Sequence, residues 1–289
     1  MSWQDDLLFN VFEPTVALGV REYRVGGDVT EKVDYVVTEE PLEIRVVHWD
    51  SGRLVTSRVA VTMRTPGYDF ELAVGFLHSE GVVRSTRDVA SVYYCTDPNE
   101  PQRFNIVNVQ LDPNVTFDAE SLSRRVFTSS ACGVCGAASL EYVQKLCAIR
   151  PVGDFVIRRE VIASLPSKLR GAQRFFTRTG GLHASGLIDV DGSILYVRED
   201  VGRHNAMDKL VGRLLLEGRL PASNKIVLVS GRAGFELVQK AVLAGIPMLA
   251  AVGAPSSLAV ELAEKYGVTL VGFLRDNKFN VYSSPERII

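Results

Sequence analysis

Apolar and polar residues alternate through most of positions 14 to 64. The stretches TVALGVREYRV, VDYVVTEE, LEIRVVHWD and RVAVTMR are rich in Val and keep a period of two, so each predicts a strand. Gly27-Asp28 and Asp50-Ser51-Gly52 are turn signals, and the second predicts a hairpin between the last two strands. The period changes after Pro66-Gly67-Tyr68-Asp69, where Leu72, Ala73, Phe76 and Leu77 recur at helical spacing until Gly81 stops them. Val89 to Cys95 and Phe104 to Leu111 return to strand character around the turn Asp97-Pro98-Asn99-Glu100-Pro101. Residues 1–130 therefore predict a compact α+β domain.

From Ser139 the rhythm is different. Helical patterns occupy Leu140 to Ile149 and Arg159 to Phe176, and Thr179-Gly180-Gly181 breaks them. Strands Ser185 to Val190 and Ser193 to Val197 flank Asp191-Gly192, a strong hairpin turn. Helix and strand then alternate: helix near His204 to Leu216, strand Lys225 to Val229, helix near Phe235 to Ala244, strand Pro247 to Val252. Helix Ser257 to Tyr266 and strand Val268 to Leu274 follow, with an edge strand at Phe279 to Tyr282. Apolar strands such as IVLV and MLAAV predict a mostly parallel sheet covered on both faces, an α/β domain over residues 139–289. Its order of hairpin, helix, strand, helix, strand, helix, strand matches a cytidine-deaminase-like α/β sandwich, on topology alone.

Composition narrows the function class. With 289 residues the chain can bury a large core, and 32 basic against 34 acidic side chains leave a net charge of −2. A global electrostatic case for nucleic acid or membrane fails. No stretch approaches the roughly 20 uninterrupted apolar residues of a membrane span, and MSWQDDLLFN opens acidic, unlike a secretory signal. The expected location is the cytoplasm. Four cysteines, with Cys95 and Cys147 isolated on apolar faces, do not form a disulfide framework.

The remaining pair defines the most reactive stretch. Cys132 and Cys135 stand in Thr128-Ser129-Ser130-Ala131-Cys132-Gly133-Val134-Cys135-Gly136-Ala137, a small-residue loop at 131–138 between the two domains. A thiol just before a helix start, with Arg124 and Arg125 nearby, is favoured as the thiolate. Three chemistries fit this spacing: a nucleophilic or persulfide-carrying thiol, half of a structural zinc site, and a redox disulfide. The zinc reading lacks a second Cys pair unless a homodimer supplies it, and the thioredoxin reading lacks the first strand of that core.

A second constellation, Arg198-Glu199-Asp200-Val201-Gly202-Arg203-His204-Asn205-Ala206-Met207-Asp208-Lys209, lies between a strand and a helix, where open α/β sheets bind ligands. Its density of charge reads as function, against the plainer reading of a helix start capped by Asp200. Zinc deaminases carry His-x-Glu and Pro-Cys-x-x-Cys at the corresponding helix starts; here stand His204-Asn205-Ala206 and Ser230-Gly231-Arg232-Ala233-Gly234, so zinc-dependent deamination is disfavoured. Gly180, Gly181 and His183 permit close backbone approach, and Arg232 after a strand suits phosphate. Gly253-Ala254-Pro255-Ser256-Ser257 occupies the equivalent place one strand on. Phe273, Leu274, Arg275, Asp276, Asn277 and Lys278 combine an aromatic with two cations, which suits a stacked purine, while an ordinary strand end and turn fits the composition equally well.

Seven motifs in fixed order resemble the FdhD family, sulfurtransferases required for formate dehydrogenase activity. They are EEPLEIR, MRTPGYDFELAVGFLHSEG, SSACGVCG, TGGLHASGL, REDVGRHNAMDKLVG, SGRAGFELVQKAVLAGIP and LAVELAEKYGVTLVGFLRDNKFNVY, running from Glu39 almost to the C-terminus. Ser185 stands where the family pattern leads one to expect Ala. The resemblance implies that sulfur arrives from a cysteine desulfurase as a persulfide on Cys132, with Cys135 as its partner. It then passes to the molybdenum or tungsten bis-molybdopterin guanine dinucleotide cofactor before that cofactor enters the formate dehydrogenase catalytic subunit. It further implies cofactor binding by Phe273 to Lys278, a homodimer, and a deaminase-like fold with no tightly bound metal of its own. A chaperone that holds the cofactor without carrying sulfur is the alternative from another class.

Overall fold

The computed structural model describes residues 13–99, 104–119, 122, 146 and 150–289. Strands β1 (Thr15–Tyr23) and β2 (Val29–Val37) form an antiparallel ribbon. Strands β3 (Glu40–Asp50) and β4 (Arg53–Arg64) form the predicted hairpin, with Ser51 and Gly52 at φ 48° and 78° where a two-residue turn needs left-handed backbone. Helix α1 (Asp69–Ser79) and strands β5 (Val89–Tyr94) and β6 (Ile106–Leu111) complete a four-stranded sheet of order β4-β3-β6-β5. Leu72, Ala73 and Leu77 of α1 pack on Leu42, Ile44, Val46, Val107 and Val109.

The long helix expected from Arg159 to Phe176 is two: α2 (Arg159–Ala172) and α3 (Arg174–Thr179), broken at Gln173, whose ψ of 94° lies outside helical space. Then follow β7 (His183–Ile188), β8 (Ile194–Asp200), α4 (Arg203–Leu216), β9 (Ile226–Val229), α5 (Phe235–Leu243), β10 (Met248–Ala251), α6 (Ser257–Tyr266), β11 (Thr269–Arg275) and β12 (Lys278–Ser283). The six-stranded sheet has the order β12-β11-β10-β9-β7-β8. Only the β9–β10 and β10–β11 pairings are parallel, so the sheet is mixed rather than mostly parallel: β7 pairs antiparallel with both β8 and β9, and β12 pairs antiparallel with β11. Alternate strand residues serve opposite faces. Val227, Val229 and Leu249 meet α4, α5 and α6 through Met207, Leu237 and Leu262, while Ile226, Leu228 and Met248 meet α2 through Ile162, Leu165 and Leu169. The whole is a mixed α/β fold.

The two sheets are joined where α1 crosses α4. The crossing is backbone on backbone: a Cβ at Gly75 would collide with the Asp208 carbonyl, and one at Gly212 with the Glu71 carbonyl. Buried charge surrounds it. Arg198 Nη2 donates to Glu71 at 2.8 Å, and Lys209 Nζ donates to Asp200 Oδ2 at 2.7 Å and to the Thr65 carbonyl at 2.8 Å. Asn205 Nδ2 donates to the Met63 carbonyl at 2.8 Å, and Ser79 Oγ donates to Asp208 at 2.8 Å. Within the first sheet, Arg64, fully buried, holds Asp69 with two bonds of 3.1 and 2.9 Å.

Candidate functional site: a ledge at one edge of the sheet

Because β9, β10 and β11 are parallel, their carboxyl ends share one edge, and the antiparallel hairpin brings the start of β7 and the end of β8 there too, with His183 opposite Asp200. The backbone stitches the connecting loops together. Ser230 exchanges bonds with Ala184, its N–H donating to the carbonyl at 3.0 Å and its Oγ accepting from the N–H at 2.9 Å. Gly253 N–H donates to the Gly231 carbonyl at 2.8 Å, and Phe273 N–H donates to the Gly253 carbonyl at 3.0 Å. Gly253 is required by proximity, since a Cβ there would lie 2.9 Å from the Gly231 carbonyl oxygen; a Cβ on Gly231 would lie 3.2 Å from His183 Nδ1, a tight fit the imidazole would have to yield to.

Onto this ledge the sequence places cations and aromatics. Arg232 is exposed at the start of the loop before α5. Arg203 and His204 open α4, whose N-cap, Gly202, offers no side-chain cap; α5, after Gly234, is likewise uncapped. Among the described residues no side chain caps their first N–H groups. Arg203 Nε and His204 Nδ1 are buried without a hydrogen-bond partner among the described residues; Glu236 Oε2 lies 3.0 Å from that Nδ1 but out of line for a bond. Burial, then Lys240 and Arg203, push the His204 imidazole down to about 4 against the opposing pull of Asp208. Burial and then Arg203 also lower His183, so both rings are neutral at neutral pH.

Phe273 carries the clearest local signal. Its φ of 51° is unusual for a residue with a large side chain, it sits in the irregular register between β11 and β12, and its ring is 45% exposed. Arg275 next to it donates through Nη1 to the carbonyls of Val252, at 2.6 Å, and Leu274, at 2.8 Å. Leu274 itself is fully buried in the core beneath the sheet. Asp276, Asn277 and Lys278 lie exposed in the turn into β12. Gly180, at φ 67°, ends α3, and Gly181 lies against Val37 of the ribbon. The structure thus brings His183, Arg203, His204, Arg232, Phe273 and Arg275 to one edge. Cys132 and Cys135 lie outside the described residues.

The charged constellation divides. Arg203 and His204 face the ledge, whereas Arg198, Asp200, Asn205, Asp208 and Lys209 are buried as the bond between the two sheets. Asp200 is not the cap of α4; it accepts from Gly202 N–H at 2.8 Å and pairs with Lys209. Sequence reasoning missed Glu236, Lys240 and the environment they give His204, although Glu236/Lys240 and His204/Asp208 are i,i+4 pairs on adjacent helices. Cys95 is buried, as expected. Among the described residues no three His, Cys, Asp or Glu side chains group as metal ligands, and no helix is long and apolar enough to cross a membrane.

Fold and ledge together define a mixed α/β protein, two main sheets and a ribbon, with a cationic shelf along one sheet edge. The FdhD/NarQ family model matches residues 37–289. The chain is 51% identical over 267 residues to the sulfur carrier protein FdhD of Streptomyces coelicolor, covering 91% of this chain and 92% of that one. It is 47% identical over 273 residues to the sulfur carrier protein FdhD of Sulfurisphaera tokodaii, covering 93% and 98%. A crystal structure from Desulfotalea psychrophila, of a protein assigned as a formate dehydrogenase accessory protein, superposes with a TM-score of 0.73 at 25% identity, covering 96% of this chain and all of that one. The protein belongs to the FdhD/NarQ family.

Proposed function

We propose that the protein is a sulfur carrier that sulfurates the molybdenum or tungsten bis-molybdopterin guanine dinucleotide before it enters formate dehydrogenase. The observation that carries this reading is the ledge: two uncapped helix starts, four cations at Arg203, Arg232, Arg275 and Lys278, and an outward Phe273, on main chain stitched at Gly231 and Gly253. A dinucleotide with two phosphate-rich arms needs such an open, cationic shelf rather than a small pocket. Two neutral imidazoles add hydrogen-bonding groups that do not repel the arginines. The strand order supports a deaminase-like scaffold, here without that class's Glu and Cys ligands.

In this reading the Cys132 thiolate attacks the outer sulfur of a cysteine desulfurase persulfide. A new S–S bond forms on Cys132 as the donor's S–S bond breaks, and the donor thiolate leaves. Attack by the Cys135 thiolate on Cys132 Sγ then forms a Cys132–Cys135 disulfide and expels hydrosulfide towards the cofactor, the cysteine pair supplying the two electrons. The cofactor is cargo, clamped by Gly180, Gly181, His183, Arg203, His204, Arg232 and the Phe273 to Lys278 segment, in a homodimer. Mass spectrometry after incubation with desulfurase and cysteine is expected to show one added sulfur on the Cys132 peptide, absent in Cys132→Ala. A wild-type peptide without added sulfur would favour the chaperone reading.

A further inference from the structure

The chain carries a net charge of −2, yet between Arg158 and Thr179 six cations face one carboxylate, Glu160. All six, Arg158, Arg159, Lys168, Arg170, Arg174 and Arg178, are exposed. Glu160 is engaged by Arg159 at 3.2 Å, and among the described residues no carboxylate pairs with Arg170, Arg174 or Arg178. These three rest instead on aromatic rings: Arg170 lies 5.2 Å from the Phe176 centroid, Arg174 5.9 Å from Phe175, and Arg178 3.6 Å from Tyr35 of the ribbon. Stacking holds the stems in place and leaves the guanidinium edges turned to solvent.

The support beneath them is rigid. Glu199 accepts from the N–H groups of Phe175 and Phe176 at 3.1 and 2.9 Å, tying α3 to β8. The C-terminus of α3 runs through Gly180, Gly181 and Leu182 into His183, so the α3 end of the basic face adjoins the ledge. We propose that the α2–α3 face docks an acidic surface of the protein that receives the ledge's ligand. On the functional reading above, on which this identification of the partner rests, that protein is the apo catalytic subunit of formate dehydrogenase. A recipient has to approach the ledge, whereas a sulfur donor has to approach Cys132. Nucleic acid fits less well, because Phe175, Phe176 and Tyr35 are each partly buried, with Arg178 3.6 Å from the Tyr35 centroid, and a chain of net charge −2 lacks an extended basic field.

The test measures binding of the full chain to the purified apo catalytic subunit at about 50 and about 300 mM salt, where exposed charge pairs are screened. Arg170→Glu/Arg174→Glu/Arg178→Glu is expected to weaken binding at least about tenfold at the lower salt and to flatten the salt dependence. The matching triple change to Lys, which keeps the charge, is expected to retain most of the affinity. Arg53→Glu, on the distant β3–β4 turn, is the control. Unchanged affinity in the triple Glu variant, an equal loss in Arg53→Glu, or displacement of the subunit by a single-stranded RNA of similar affinity would each overturn the proposal. Sulfur loading of Cys132 by desulfurase is read in parallel and is expected to be equal in all variants. Wild-type protein that takes no sulfur there would sink the functional reading alone, while the binding comparison still decides the docking face.

Discussion

Glu71 is 1% exposed and is held by Arg198, with Arg213 3.5 Å away. Removing one partner of such a pair strands a buried charge, so Arg198→Met should destabilise the protein by about 3–5 kcal/mol in urea unfolding. Arg198→Met/Glu71→Leu should recover a large part of that loss; an additive double variant would contradict the pairing. His204 gives a prediction in pH. Its folded value of about 4 lies below the unfolded 6.5, so the unfolded chain binds the extra proton first. Stability is therefore full above pH 6.5 and falls as pH drops from there towards 4, and His204→Gln should flatten that slope in thermal melts taken between pH 7 and 5. At this scale the sequence was legible in kind and not in place. Arg198, Asp200 and Lys209 stood out as charges too dense for an ordinary helix start. Nothing in their spacing reveals that their partners are Glu71 and Thr65, more than a hundred positions away.

Gly75 and Gly212 act as elements rather than as residues, since they set how closely α1 and α4 approach. Gly75→Ala places a methyl group into the Asp208 carbonyl, and the helices must move apart, with an expected loss of about 3 kcal/mol in denaturant midpoint experiments. Exposed Gly171 in α2 is the useful comparison: a Cβ there meets nothing within 4 Å, so Gly171→Ala should be neutral or slightly stabilising. Most elements were legible from periodicity, as with α6 at Ser257–Tyr266 and the Asp191-Gly192 hairpin. The break between α2 and α3 was not, because Gln173 carries no helix-stopping chemistry; Glu199, distant in sequence, accepts the N–H groups that start α3.

Across the whole molecule the two sheets share one buried polar seam, and neither half keeps it satisfied alone. Residues 150–289 expressed without the first half would expose Arg198, Asp200, Asn205 and Lys209 stripped of Glu71, Thr65 and Met63. That fragment should be less stable and cleaved faster in limited proteolysis than the same region of the full chain. Far-UV dichroism and, in a Trp3→Phe background, fluorescence of Trp49, on β3, should report the same midpoint in the full chain; separated midpoints would show that the seam does not couple the sheets. Strand–helix alternation made the architecture of the second half readable, and with it the gathering of the strand-end loops at one edge of the sheet. The seam itself was unreadable, because it depends on how two separately patterned segments meet.

The stitching of Gly231, Gly253 and Phe273 is made by main-chain groups. On the proposed function, the shelf's shape is thus separated from its taste: side chains assigned there to the ligand, such as Arg232, can be exchanged without rebuilding what carries them. Arg232→Ser should leave the melting temperature within about 1 °C, as surface changes generally do, and, if the shelf binds the proposed dinucleotide, should alter which nucleotide protects the protein from unfolding. A scaffold arranged in this way can drift from one ligand to another over evolutionary time through substitutions that folding does not notice.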